Sequence, residues 1–149
     1  MIRRSHAWGV VALSILTACV LPARDVDDYE GKAVSSAESA ASHVGTAILA
    51  AEAVDRDALQ APIVAVILGD AEVGAVSVRD TFASIQPPDP PSDALRVELL
   101  PLLDEVAASL AELRIAARRD DHDEVVRLAA PLHELADRLE SFAQEHERP

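Results

Sequence analysis

Residues 87–91 read Pro-Pro-Asp-Pro-Pro, four prolines in five positions. A proline lacks a backbone N–H and its ring clashes with the carbonyl four residues earlier, so no helix continues through such a run. The chain must therefore be built from what lies on either side of it. Both sides carry apolar residues at helical spacing, with no convincing alternation for strands. Before the run, one stripe is Val34, Ala37, Ala41, Val44, Ile48 and Ala51, and a second is Leu59, Ile63, Ile67, Ala71, Gly74, Val78, Phe82 and Ile85. After it come Leu95, Leu99, Leu102, Val106, Leu110, Leu113 and Ala117, then Val125, Leu128, Leu132, Leu135, Leu139 and Phe142.

These stripes predict an all-α chain with helices over about 28–54, 57–85, 92–118 and 121–145. Residues 86–91 form a stiff connector between two helical hairpins. Capping residues stand at the expected starts: Asp27 with Glu30, Asp57 with Gln60, Ser92, and Asp121 with Glu124. Each helix would be roughly 40 Å long at 1.5 Å per residue. Four helices of similar length with short joints fit an antiparallel up-down four-helix bundle, packed near-parallel at roughly 20°. The joint between the first two helices lacks Gly, so a single bent helix there is the structural alternative. Pro101 and Pro131 fall inside the last two helices, where kinks would open space in the bundle.

Composition narrows the function classes. The 149 residues hold 26 acids, 13 bases and one Cys, with a net charge of -13. A single Cys forbids an internal disulfide, a CxxC redox pair, a c-type haem motif and a Cys-based zinc site. The acidity argues against nucleic acid, whose phosphates demand a basic face. Half the chain is hydrophobic, too much for a fully disordered one, yet only 3% is aromatic, which weakens sugar binding and base stacking.

The amino terminus has its own pattern. Positively charged residues 1–6 precede an uncharged apolar run, Ala7 to Ala18, that is too short to span a bilayer comfortably and has the length of a signal-peptide h-region. Leu16-Thr17-Ala18-Cys19 closes it, with small residues at Thr17 and Ala18 that admit a peptidase groove. This tetrapeptide resembles the lipobox of bacterial lipoproteins. The resemblance implies that a signal peptidase recognises Leu16, Thr17 and Ala18, removes 1–18, and leaves Cys19 as a diacylglycerol-bearing N-terminus followed by a tether, 19–26. The protein would then sit on the extracytoplasmic face of the cell membrane. Processing would remove Arg3 and Arg4 and no acid, leaving 11 bases against 26 acids, a net charge of -15. With 12 Arg to one Lys and abundant Ala, the chain resembles the small lipoproteins of high-GC Gram-positive bacteria.

No motif for catalysis stands out. His133-Glu-Leu-Ala-Asp137 approximates HExxH but ends in Asp, and it reads first as an exposed i, i+4 ion pair. Asp120-Asp-His-Asp-Glu124 lies at a helix start, where carboxylates cap free N–H groups, and lacks the turn Gly of an EF-hand loop. The Glu-x-x-His spacing of di-iron bundles is absent. His43 and His133 are the candidates for a bis-His haem, and surface placement is the simpler reading. We therefore expect no enzyme, no metal site, and no cofactor beyond the diacylglycerol on Cys19.

One stretch exceeds what packing needs. Ala61 to Leu68 is apolar on every face of the second helix, and Val64, Leu68, Val73 and Val76 add surface beyond the stripe. Such a surplus marks either the most buried helix of the bundle or an exposed docking surface. The sequence thus points to a lipid-anchored, non-catalytic interaction protein of the cell envelope, docking a partner or a second copy through Val64, Leu68, Val73 and Val76. The alternative is a lipid-tethered carrier or sensor holding a small apolar ligand or metal inside the bundle, with a cavity near Pro101 and Pro131.

Overall fold

The computed structural model describes residues 25–147; Leu16–Cys19 lie outside them. The described chain is an all-α bundle with the elements α1 (Val26–Asp55), α2 (Ala61–Ser84), α3 (Pro90–Arg118), α4 (His122–Ala129) and α5 (Leu132–His146). The last two occupy the place of a single fourth helix, interrupted at Pro131.

The helix starts follow local chemistry, with three corrections to the sequence expectation. First, α1 is capped by Asp25, whose carboxylate accepts from the Asp28 N–H at 2.9 Å, and not by Asp27. Second, α3 begins at Pro90 and not at Ser92. Asp89 accepts from the Ser92 N–H at 2.9 Å, and Pro90 and Pro91 occupy the first turn, where a missing N–H costs nothing. The proline run is thus half connector and half helix start. Third, α2 begins at Ala61, four residues later than expected, and its N-cap Gln60 makes no side-chain cap. Asp121 does cap α4, accepting from the Glu124 N–H at 3.1 Å.

Asp57 cannot open a helix because it closes one. It adopts a left-handed φ of 52°, and Asp120 at the end of α3 adopts 58°. In the first turn the Asp57 N–H donates to Val54 O at 2.9 Å and the Ala58 N–H to Ala53 O at 2.8 Å. In the second, Asp120 donates to Ala117 O at 3.1 Å and Asp121 to Ala116 O at 3.2 Å. Both are Schellman closures with Asp where Gly usually stands. The first separates α1 from α2, so the bent-helix alternative does not hold, and the second separates α3 from α4.

Packing is not four-fold symmetric. α1 packs against all the other helices, and α2 packs against α1 and α3 only on its inner side. The buried face of α1 is almost entirely small: Ala33, Ala37, Ala40, Ala47, Ala50 and Ala51 line it with Val44 and Val54. Small side chains permit close interaxial approach, and α1 accordingly meets its diagonal neighbour α3 as well as its adjacent ones. The bulk comes from α3 and α5, through Leu99, Leu110, Leu113 and Leu139, all fully buried. At the end where the chain enters the bundle, Tyr29 and Phe82 pack with ring centroids 5.7 Å apart.

Inter-helix polar contacts fix the register. Arg79 on α2 pairs with Asp104 on α3 at 2.7 Å, and Arg138 on α5 with Glu105 on α3 at 2.9 Å. Arg114 on α3 pairs with Glu72 on α2. Arg96 donates to Ile85 O at 2.8 Å and to Ala83 O at 2.6 Å, closing the last carbonyls of α2 from the first turns of α3.

Candidate functional site

The surplus apolar residues of α2 split between core and solvent. Val64 and Leu68 are fully buried, so they cannot belong to a docking surface; Val73 and Val76 are 70% and 38% exposed. The buried stripe of α2 is Val64, Leu68, Ala71, Ala75 and Phe82, turned from the Leu59, Ile63, Ile67 phase expected. Two residues along a helix is a rotation of about 200°, so Val66, between Val64 and Leu68, points away from the core. Val66 is 62% exposed, and Val73 continues its line two turns later. Ile63, 49% exposed, flanks it.

The outward face of α2 is therefore Ile63, Val66, Val73 and Val76, with Gly69 and exposed Asp70 between the valines. By length and composition, α2 is the one helix among the described residues long and apolar enough to cross a membrane, yet only 22% of its most apolar window is buried. It is not the most buried helix of the bundle. The apolar face runs from Ile63 to Val76, leaving the last two turns of α2 out; beyond Val76 the outward positions turn polar, with Ser77, Asp80 and Thr81 exposed. The groove beside this face is walled by α3, where Arg114 is held by Glu72.

A second feature lies on the other side of α1. Pro131 interrupts the fourth helix, and Ala130 and Pro131 bridge α4 to α5 in near-helical backbone. The break leaves a cleft of about 300 Å³ between α1 and the two segments. Ile48, Ala51, Glu52 and Asp55 contribute from α1; Val126, Ala129, Ala130 and His133 close the other wall. Pro101 does not line this cleft. It lies within an unbroken α3 on the exposed face, where the unpaired carbonyl four residues back, at exposed Val97, meets water.

The other residues singled out in the sequence are not brought together. His133 and Asp137 are both exposed and form no ion pair with each other among the described residues. His122 lies 3.3 Å from Asp120 at the α3–α4 turn. His43 packs on α2, where a Cβ on Gly74 would come within 2.2 Å of its Cε1. His133 lines the cleft on the opposite side of α1, so these two histidines do not converge on one site.

A cluster the sequence did not suggest stands at the end where the chain enters. His146 Nδ1 lies 4.0 Å from Glu30 and Nε2 3.8 Å from Glu98, with its ring 4.6 Å from Phe142. Ligand-capable atoms of Glu98, Glu145 and His146 lie within 4.8 Å of one another. It joins the start of α1, the first turns of α3 and the end of α5, residues more than 100 positions apart, and no spacing rule could have found it. Compared with family models, curated proteins and solved structures, the chain matches none.

Proposed function

We propose that this protein is an extracytoplasmic, lipid-anchored helical bundle that works by contact and not by catalysis, docking a basic envelope protein on the outward face of α2. The observation that carries this reading is the pair Val66 and Val73, 62% and 70% exposed on a helix face turned directly away from the core. Leaving apolar side chains in water costs roughly 25 cal/mol for each Å² a partner would cover, and exposed apolar patches mark interaction sites.

Charge selects the occupant. Asp70 sits within the strip, and the chain carries -13 overall. A second copy would meet like charge across the interface, whereas an apolar helix flanked by Lys or Arg would pair with Asp70. The strip starts at the end of α2 remote from the point where the tether enters and stops two turns short of the near end, which favours a protein partner over the anchoring bilayer.

Formaldehyde cross-linking of intact envelopes tests the reading. The wild-type protein should give an adduct with a protein of basic surface, and the double variant V66D/V73D should lose it. That variant should keep its far-UV circular dichroism and lie within about 0.5 kcal/mol of wild-type stability, as exposed substitutions do. Val64→Asp should unfold the bundle, because it buries an unpaired charge. An adduct that persists in the double variant would overturn the docking reading. The anchor is tested separately: Cys19→Ala should release the protein from the membrane fraction or block its processing, and normal maturation with full membrane retention would refute lipidation.

A further inference from the structure

The cleft at the Pro131 break lies across α1 from the docking face, and the contact reading makes no use of it. Its volume of about 300 Å³ stands at the lower end of small-ligand sites, about 300–1,000 Å³. Its chemistry is divided. Ile48, Ala51, Val126 and Ala129 supply apolar wall, and Asp55 and His133 supply polar atoms at the rim. Val126 is 36% exposed while Ala51 and Ala129 are buried, so the wall is continuous with the core and only its outer edge is wet.

The two acids of the cleft are not equivalent. Glu52 is engaged by Arg56 at 3.4 Å. Asp55 is exposed and forms no ion pair among the described residues. A free carboxylate beside an apolar wall, in a chain of net charge -13, attracts an ammonium group and repels carboxylates and phosphates. The imidazole of His133 places a ring nitrogen, a second polar atom, on the facing wall. The cleft sits at the break in the fourth helix, where Pro131 can neither donate an intrahelical bond nor accommodate the carbonyl of Arg127.

We propose that this cleft binds a small primary amine with a short apolar body, the ammonium on Asp55 and His133 and the body against Ile48 and Val126. The probe is phenethylamine, whose ring and two methylenes match the cleft and whose charge matches Asp55. The full chain, in lipid nanodiscs and labelled at its Ile and Val methyl groups, is titrated while the Ile48 and Val126 resonances are followed. The expected result is a saturable shift at both. Phenethyl alcohol and 3-phenylpropionate should bind at least about tenfold more weakly, as should phenethylamine to Asp55→Asn, the loss of one charge-assisted hydrogen bond. Ala130→Trp, at an exposed rim position, should fill the cleft and abolish the shifts with the fold intact. No saturable shift at Ile48 and Val126 would overturn the proposal. So would equal binding of the alcohol and the carboxylate, or binding that survives Ala130→Trp.

Discussion

At the residue scale the fold turns on aspartates in unusual roles. Asp57 and Asp120 hold left-handed backbone at the ends of α1 and α3, with φ of 52° and 58°. That conformation costs an L-residue roughly 1–2 kcal/mol, less for Asp than for most, and nothing for Gly. Asp57→Gly and Asp120→Gly should each raise stability by about 0.5–1 kcal/mol in urea unfolding, and Val at either site should lower it. A loss on introducing Gly would mean that the carboxylates do more than close the turns. Tyr29 makes a second prediction. Burial raises its pKa above 10.0, with the nearby Arg96 pulling the other way. A raised folded-state pKa means that, above pH 10, the unfolded chain loses its proton first, so stability falls as pH rises through that window. Tyr29→Phe should remove this alkaline loss and leave the neutral-pH melt nearly unchanged; an alkaline limb identical to wild type would exclude Tyr29 as its cause.

At the element scale, the sequence was legible where one face was apolar and the other was not. The α3 stripe from Leu99 to Ala117, and Val125, Leu132, Leu135, Leu139 and Phe142 beyond the turn, are buried as their spacing predicts. The α2 stripe was legible as a helix but not in its phase. From Ala61 to Leu68 every face is apolar, so Ile63 and Ile67 read as core equally well as Val64 and Leu68, and Ala71 satisfies both phases. Only the positions of α1 and α3 select one. α1 was displaced more gently: Val34, Ala41 and Ile48 flank a buried line of Ala33, Ala37, Ala40, Val44 and Ala47, because on an Ala-rich helix neighbouring rows differ little in hydrophobicity. Proline carried opposite meanings at its several sites. Pro90 and Pro91 start α3, Pro101 is absorbed, and Pro131 splits α4 from α5; burial and the solvent side of the affected carbonyl decide, and spacing does not report them. Pro131→Ala should join α4 to α5, raise helicity, and stabilise the chain by about 1–3 kcal/mol, given the preference for Ala over Pro inside a helix. Hydrogen exchange at residues 130–133 would show the new protection. Unchanged exchange there would mean that packing, and not proline, holds the break.

At the scale of the whole molecule, the asymmetry of the bundle carries the functional argument. A narrow Ala face makes α1 the centre and leaves α2 a flank covered from within only. Its outward residues were legible in number, since the sequence shows too many apolar side chains for one stripe, but the count does not say which of them face water. The His146 cluster comes from tertiary placement and could not be read; space near Pro131 was legible from the proline, but the α1 wall that Ile48, Ala51 and Asp55 give the cleft was not. The central claim is that the outward face of α2 meets a partner. The most direct test places a photo-cross-linking amino acid at Val73, with Glu140, exposed on α5, as control, and irradiates the intact envelope. The account predicts one discrete adduct from Val73, with a protein of basic surface, and none from Glu140. No adduct from Val73, the same adducts from both positions, or a dimer of this chain alone would contradict it.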